Sequence, residues 1–265
     1  TSLRIGQNIS AVTGASDVHD RPISFSVADG VISKPGQNGP RPADAVDAKG
    51  WMALPPMADV HAHIDKAFTW NEAGRPQGTL EEAIAAWFRY SPTIKDSDIK
   101  PRAERALRCY IASGVTALRS HADFACGGDP LADIRALVEL KHGYRDYIDL
   151  QVVPLIKSTM PDEYLYEAAK LDIDFLGGAP HDAKDPHHDL ARIIRAAEDT
   201  GLGVDIHTDE TLDPDMLTIL EYAGYVKDWE PGRMRSAGHC VSLSVQRPDR
   251  LERILDTVKE AGISI

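Results

Sequence analysis

A chain of 265 residues, 43% hydrophobic and 26% charged, holds enough apolar material for one large domain or two ordinary ones, which excludes a disordered tail and a disulfide-stapled peptide. Lysine and arginine number 29 against 41 aspartates and glutamates, and the net charge of −12 repels nucleic-acid phosphate and anionic lipid. Cys109, Cys126 and Cys240 are odd in number, far apart and form no CxxC pair, which argues against a zinc ribbon, a redox motif or a disulfide framework and favours a reducing compartment.

From the N-terminus, the sequence shows no cationic segment leading into an apolar run, and no stretch reaches the roughly 18 apolar residues of a membrane span. A soluble, cytoplasmic protein without membrane or nucleic-acid partners is expected. Residues 1–56 are rich in Gly, Pro, Asp and Ser, with an alternating run at Ile23-Ser24-Phe25-Ser26-Val27 and turn signals at Asp29-Gly30 and Pro35-Gly36, which predicts small strands. A boundary is expected near Pro55-Pro56. Over residues 57–265, apolar runs alternate with helical patterns, the signature of β/α units around a parallel sheet. Strands are predicted at residues 58–63, 115–121, 148–156, 175–180, 204–208 and 235–240, with a seventh beginning at 262–265.

Asp129-Pro130, Asp185-Pro186 and Asp213-Pro214 each place a capping carboxylate before a proline and predict a helix start. Apolar stripes at Leu131, Ile134 and Val138, at Leu190, Ile193, Ile194 and Ala197, and at Leu251, Ile254, Leu255 and Val258 predict helices that cover the sheet. Four of the six strands end at or near a histidine, where β/α barrels build their active sites.

His61-Ala62-His63 ends the first of these strands, and residues two apart on a strand project to one face, so two imidazoles can share a cation. His207 ends the fifth and adds a third nitrogen of the kind zinc or iron accepts. Glu210 follows three residues later, and His239 ends the sixth strand toward the same volume. Asp205, on the strand face of His207, either supports the site from inside the barrel or is a satisfied buried carboxylate.

PPMADVHAHID, GTLEEAIAAW, RSHADF, IDLQVVP, GGAPH, DIHTDE and SAGHC occur in that order, and together they resemble the cytosine deaminase branch of the amidohydrolase superfamily. The resemblance implies an α/β fold, a (β/α)8 TIM-type barrel with a small flanking β-sandwich. It assigns residues 1–56 to the N-terminal part of the sandwich and 57–265 to a metal-dependent hydrolase barrel. It implies one divalent metal ion, zinc or iron with manganese also accepted, bound by His61, His63 and His207. Glu210 would shuttle protons and His239 would hydrogen-bond a metal-bound hydroxide that attacks the C–N carbon of an amino-substituted heterocycle. Binuclear relatives carry a lysine at the end of the fourth strand, where this chain reads Gly177-Gly178, so one metal is expected. A homo-oligomer is compatible with the resemblance.

Lys66 follows the HxH motif, and the HIDK sequence is similar to hydrolases of amino-substituted s-triazines such as the N-isopropylammelide hydrolases. Lys157 stands where the cytosine deaminases carry a glutamine. An ammonium only donates and brings charge, which suits a carbonyl-rich, partly anionic ring; the alternative is that both lysines are solvated at the rim. His121 and Asp123, in Arg119-Ser120-His121-Ala122-Asp123, and His181 also sit at strand ends, either lining the substrate pocket or hydrogen-bonding the metal ligands.

The family's eighth-strand aspartate has no counterpart in the sequence, and the seventh strand is only begun at residue 265. The expectation is a fragment of a protein of about 400 residues. The competing reading is a noncatalytic binding relative with an incomplete metal site.

Overall fold

The computed structural model describes residues 11–28, 31–33, 43–124 and 128–265. The turn signals at Asp29-Gly30 and Pro35-Gly36, and Cys126, lie outside the described residues. The chain divides into two compact units, Thr1–Ala58 with Ala112–Thr116, and Asp59–Ile111 with Ala117–Ile265.

The first unit contains a four-stranded sheet of β1 (Ala11–Ser16), β2 (Pro22–Ala28), β3 (Val31–Ser33) and β4 (Val46–Asp47), in the order β3-β2-β1-β4. The alternating run predicted at residues 23–27 falls on β2. The register of β1 against β2 slips between Val12 and Ala15, and Gly14, at φ 74°, supplies the left-handed residue that such a bulge needs. Val12, Ala15 and Ala48 form its small core, with Ile23, Phe25 and Ala53 packed on it.

The second sheet is a nearly closed barrel wall of six strands in sequence order. These are β5 (Met57–Ala62), β6 (Val115–Asp123), β7 (Asp149–Ile156), β8 (Phe175–Gly178), β9 (Gly203–Thr208) and β10 (Arg235–His239). Each matches a strand predicted from the sequence. The predicted seventh strand is present as one parallel bridge, Ser236 to Ser264, fixed by Ser264 N–H donating to Arg235 O and Ala237 N–H to Ser264 O. Every residue of β8 and β9 is buried, as expected for parallel strands covered on one face by helices and on the other by the barrel interior.

Seven helices occur among the described residues: α1 (Leu80–Tyr90), α2 (Asp96–Ala112), α3 (Ala132–Tyr144), α4 (Glu163–Ala169), α5 (Pro186–Thr200), α6 (Thr218–Val226) and α7 (Pro248–Glu260). None is long and apolar enough to cross a membrane. Helix α5 forms as its sequence dictates. Asp185 accepts from His188 N–H, Pro186 is at the first position, Leu190, Ile193, Ile194 and Ala197 are buried, and Gly201 ends the helix in the left-handed region. The other two Asp-Pro signals make turns instead. Asp129 accepts from Leu131 N–H ahead of α3, and Asp213 accepts from Asp215 N–H well before α6 begins. An aspartate that bonds the backbone two residues on closes an Asx-turn, which competes with capping.

Glycine sets how closely β8 packs. A Cβ on Gly177 would lie 2.5 Å from the Asp205 carbonyl oxygen and 2.9 Å from Val153 Cγ1. Because the nearest of these atoms belongs to backbone, Gly177→Ala is expected to lower stability by about 1–3 kcal/mol, read as a lower urea midpoint at unchanged slope.

Candidate active site

Parallel strands end on the same side of the sheet, so side chains near the ends of β5, β6, β9 and β10 converge there. His61, His63, His121 and His207 each offer a ring nitrogen, and these nitrogens all lie within 4.8 Å of one another. His63 Nε2 and His207 Nε2 are 3.2 Å apart. Gly238, opposite His207 in the register, keeps the space open: a Cβ there would lie 3.3 Å from His61 Cε1 and Nδ1.

The chemistry of this donor set fits a divalent cation. Burial, then the neighbouring imidazole of His121, pushes His61 down to about 4. Burial first, and then Lys66 for His63 and His121 for His207, holds those two well below the ordinary histidine range. All three are therefore uncharged at neutral pH, the form that binds metal. His61 Nε2, His63 Nδ1, His207 Nδ1 and both nitrogens of His121 are buried without a hydrogen-bond partner. Such groups cost about 1–3 kcal/mol each unless something engages them.

Glu210 and His239 meet at the same mouth, with His239 Nδ1 3.2 Å from Glu210 Oε1. Burial raises the Glu210 carboxyl above its ordinary value and lowers His239. Their backbone is tightly specified. Asp209 lies at φ 48°, His239 at φ 66° and Cys240 at φ 48°, conformations that cost on the order of 1–3 kcal/mol each and persist only where surrounding bonds enforce them. The fully buried Asp209 carboxylate accepts from Thr218 N–H, Thr218 Oγ1 and Ile219 N–H, capping α6. Ser242 N–H donates to Asp209 O and Cys240 N–H to Thr208 O, stitching the ends of β9 and β10 together. Burial, followed by Asp209, pushes the Cys240 thiol up to about 12, which leaves it protonated.

The remaining predicted site residues have other partners. Lys66 Nζ is 2.8 Å from Asp123 Oδ1, whose other oxygen accepts from Trp87 Nε1 at 2.8 Å. Lys157 directly follows β7; its Nζ donates to Phe124 O at 3.2 Å, while its carbonyl accepts from the buried Arg192. His181 Nδ1 donates to His207 O at 3.1 Å, bracing the end of β9. Asp205 is buried inside the barrel between Arg119 and His121. Burial pushes its carboxyl up, but His121 and Arg119 outweigh that and hold it below the ordinary range. Arg119 carries no signal of its own in the sequence, although the alternation of Arg119, His121 and Asp123 on β6 puts it on the same face as those two strand-end candidates.

Asp65 and Asp133 line a cavity together with Trp87, Arg102, Asp123 and Lys157. Asp65 Oδ1 and Asp133 Oδ1 are buried without hydrogen-bond partners. Burial, then repulsion from Asp65 and Asp123, pushes the Asp133 carboxyl up to about 8.

No family model matches the chain. It is 30% identical over 262 residues to a pterin deaminase of Rhizobium rhizogenes, covering 96% of this chain and 60% of that protein. It is 24% identical over 176 residues to an N-isopropylammelide isopropyl amidohydrolase of Pseudomonas sp., covering 62% of this chain and 43% of that protein. The crystal structure of a 5-methylcytosine deaminase from Klebsiella pneumoniae liganded with 5-fluorocytosine superposes with a TM-score of 0.80 at 25% identity, covering 96% of this chain and 64% of that one. The chain thus spans less than two thirds of each.

The Asp133 shift has a pH signature. Its value of about 8 in the fold exceeds the ordinary 3.8, so the folded state binds the proton more tightly and this residue's contribution to stability falls as pH rises from about 4 through 8. Asp133→Asn is expected to melt higher than wild type at pH 9, with the gain shrinking as pH falls toward 5. A gain independent of pH would contradict the origin assigned to it.

Proposed function

We propose that this chain, whose likenesses support an amidohydrolase-superfamily member of the deaminase and triazine-hydrolase-like branch, is the barrel of a metal-dependent hydrolase that deaminates an amino-substituted nitrogen heterocycle. The observation that carries this reading is the Glu210–His239 pair at the strand ends that also gather the neutral imidazoles. His61, His63 and His207 would hold one divalent ion, zinc, iron or manganese, whose chemistry is to polarise water and lower its pKa. The absence of any side chain at Gly177 and Gly178 leaves β8 without a lysine to bridge a second ion.

Glu210 acts as the proton carrier. Burial raises its carboxyl above the ordinary value, which makes it a better proton acceptor than a solvated glutamate. It takes a proton from the attacking water and gives it to the ring nitrogen beside the reacting carbon, then takes the remaining proton from the new C–OH and passes it to the departing amine. A C–O bond forms, the C–N bond breaks, and the amine leaves as ammonia. His239 orients the water oxygen, its own position fixed by Glu210 and by the left-handed turn into Cys240.

The Lys66–Asp123 pair bears on substrate choice. An ammonium already neutralised by a carboxylate at 2.8 Å adds little net charge, so a neutral amino-oxo ring of the pterin or cytosine kind suits this site better than an anionic oxo-triazine. Release of ammonia from pterin, cytosine, isocytosine and ammelide, and of isopropylamine from N-isopropylammelide, ranks these choices. Faster turnover of either triazine than of pterin and cytosine would overturn the electrostatic argument. Glu210→Gln is expected to keep its metal and lose at least about 100-fold in kcat; wild-type turnover in that variant would remove Glu210 from the reaction.

A further inference from the structure

The barrel interior beneath the imidazoles contains a charged pair that the proposed reaction does not use. Arg119 and His121 share one face of β6, and Asp205 and His207 share one face of β9. Two strands, β7 and β8, separate β6 from β9 in the sheet, so the 2.6 Å bond from Arg119 Nη1 to Asp205 Oδ2 crosses the interior. Gly177 places no side chain on the intervening β8. Gln151 on β7 accepts from Arg119 Nε at 2.9 Å, and the guanidinium lies 4.5 Å from the Phe175 ring centroid. The arginine is therefore held on more than one side.

With Oδ2 engaged, Asp205 Oδ1 approaches His121 Nε2 at 3.4 Å. His121 is fully buried, and apart from this approach neither of its ring nitrogens has a polar partner outside the cluster. Its ring centroid lies 4.5 Å from that of His61 and 4.6 Å from that of His207. An imidazole that gives one N–H to a carboxylate keeps the lone pair of its other nitrogen for a cation.

We propose that His121 is a further metal-binding residue of this centre, and that Asp205, clamped by Arg119, is the positioning residue that fixes its ring. The inference rests on the metal-site reading given above and extends its ligand set to a fourth imidazole.

X-ray absorption of the zinc-loaded full-length protein counts imidazoles without any substitution. Asp205→Asn, His121→Asn and the double variant, each checked by circular dichroism, are titrated with zinc against a chromophoric chelator and recorded as the Co(II) forms. Four imidazoles are expected, with a shifted cobalt spectrum in both single variants. Asp205→Asn is expected to weaken zinc about 10–100-fold, with no further loss when added to His121→Asn, because its effect passes through His121. Three imidazoles in the wild type, or wild-type affinity and spectrum in folded His121→Asn while His63→Ala loses the ion, would overturn this inference and leave the metal reading standing. A wild-type protein that takes up no zinc, iron or manganese would overturn both.

Discussion

The site depends on burying several imidazoles side by side without charging them. Two protonated rings with nitrogens 3.2 Å apart, as His63 and His207 would be, repel strongly in a medium that solvates neither. Desolvation resolves this by holding His61, His63 and His207 neutral, and neutrality turns a crowded cluster into a set of lone pairs. Parallel strand geometry makes that concentration of like groups attainable, since β5, β6 and β9 deliver their same-face residues to one end of one sheet. Gly238 contributes by what it lacks, leaving room for the His61 ring.

The second constraint is backbone. The Glu210–His239 pair comes from the segments where β9 and β10 leave the barrel, and both segments pass through left-handed residues at Asp209, His239 and Cys240. None is glycine, so the neighbouring bonds must enforce each one. Asp209 does this from both of its ends: its carboxylate caps α6 while its carbonyl accepts from Ser242 N–H. The start of α6 and the placement of Glu210 are thus one arrangement, and the helix begins where Asp209 can reach it, not at the Asp213-Pro214 signal.

Ion pairing also alters the electrostatics that charges in the sequence suggest. Lys66 beside the histidines reads as a donor for an anionic ring, but Asp123 takes up its charge, and Trp87 holds the second oxygen of that carboxylate. Arg119 and Asp205 form a similar closed pair within the barrel. Carboxylates do crowd together around the cavity lined by Asp65, Asp123 and Asp133, and there burial favours a protonated Asp133 carboxyl.

Local pattern alone was enough to specify the strands of the barrel wall. Runs such as Val152-Val153-Pro154-Leu155-Ile156 are apolar and short, and hydrophobic burial acts on that pattern wherever the strand is placed. It also determined which residue types stand at the strand ends, and that His61 and His63 project to one side, because alternation along a strand is local geometry. Tertiary structure alone decided which charges are neutralised. The bond between Arg119 and Asp205 joins residues 86 apart, and that between Trp87 and Asp123 joins residues 36 apart. It also set the His121 ring among those of His61, His63 and His207, brought His181 to the His207 carbonyl, and placed the start of α6. Those outcomes depend on distances between elements, and neither periodicity nor spacing along the chain encodes the partner across the barrel.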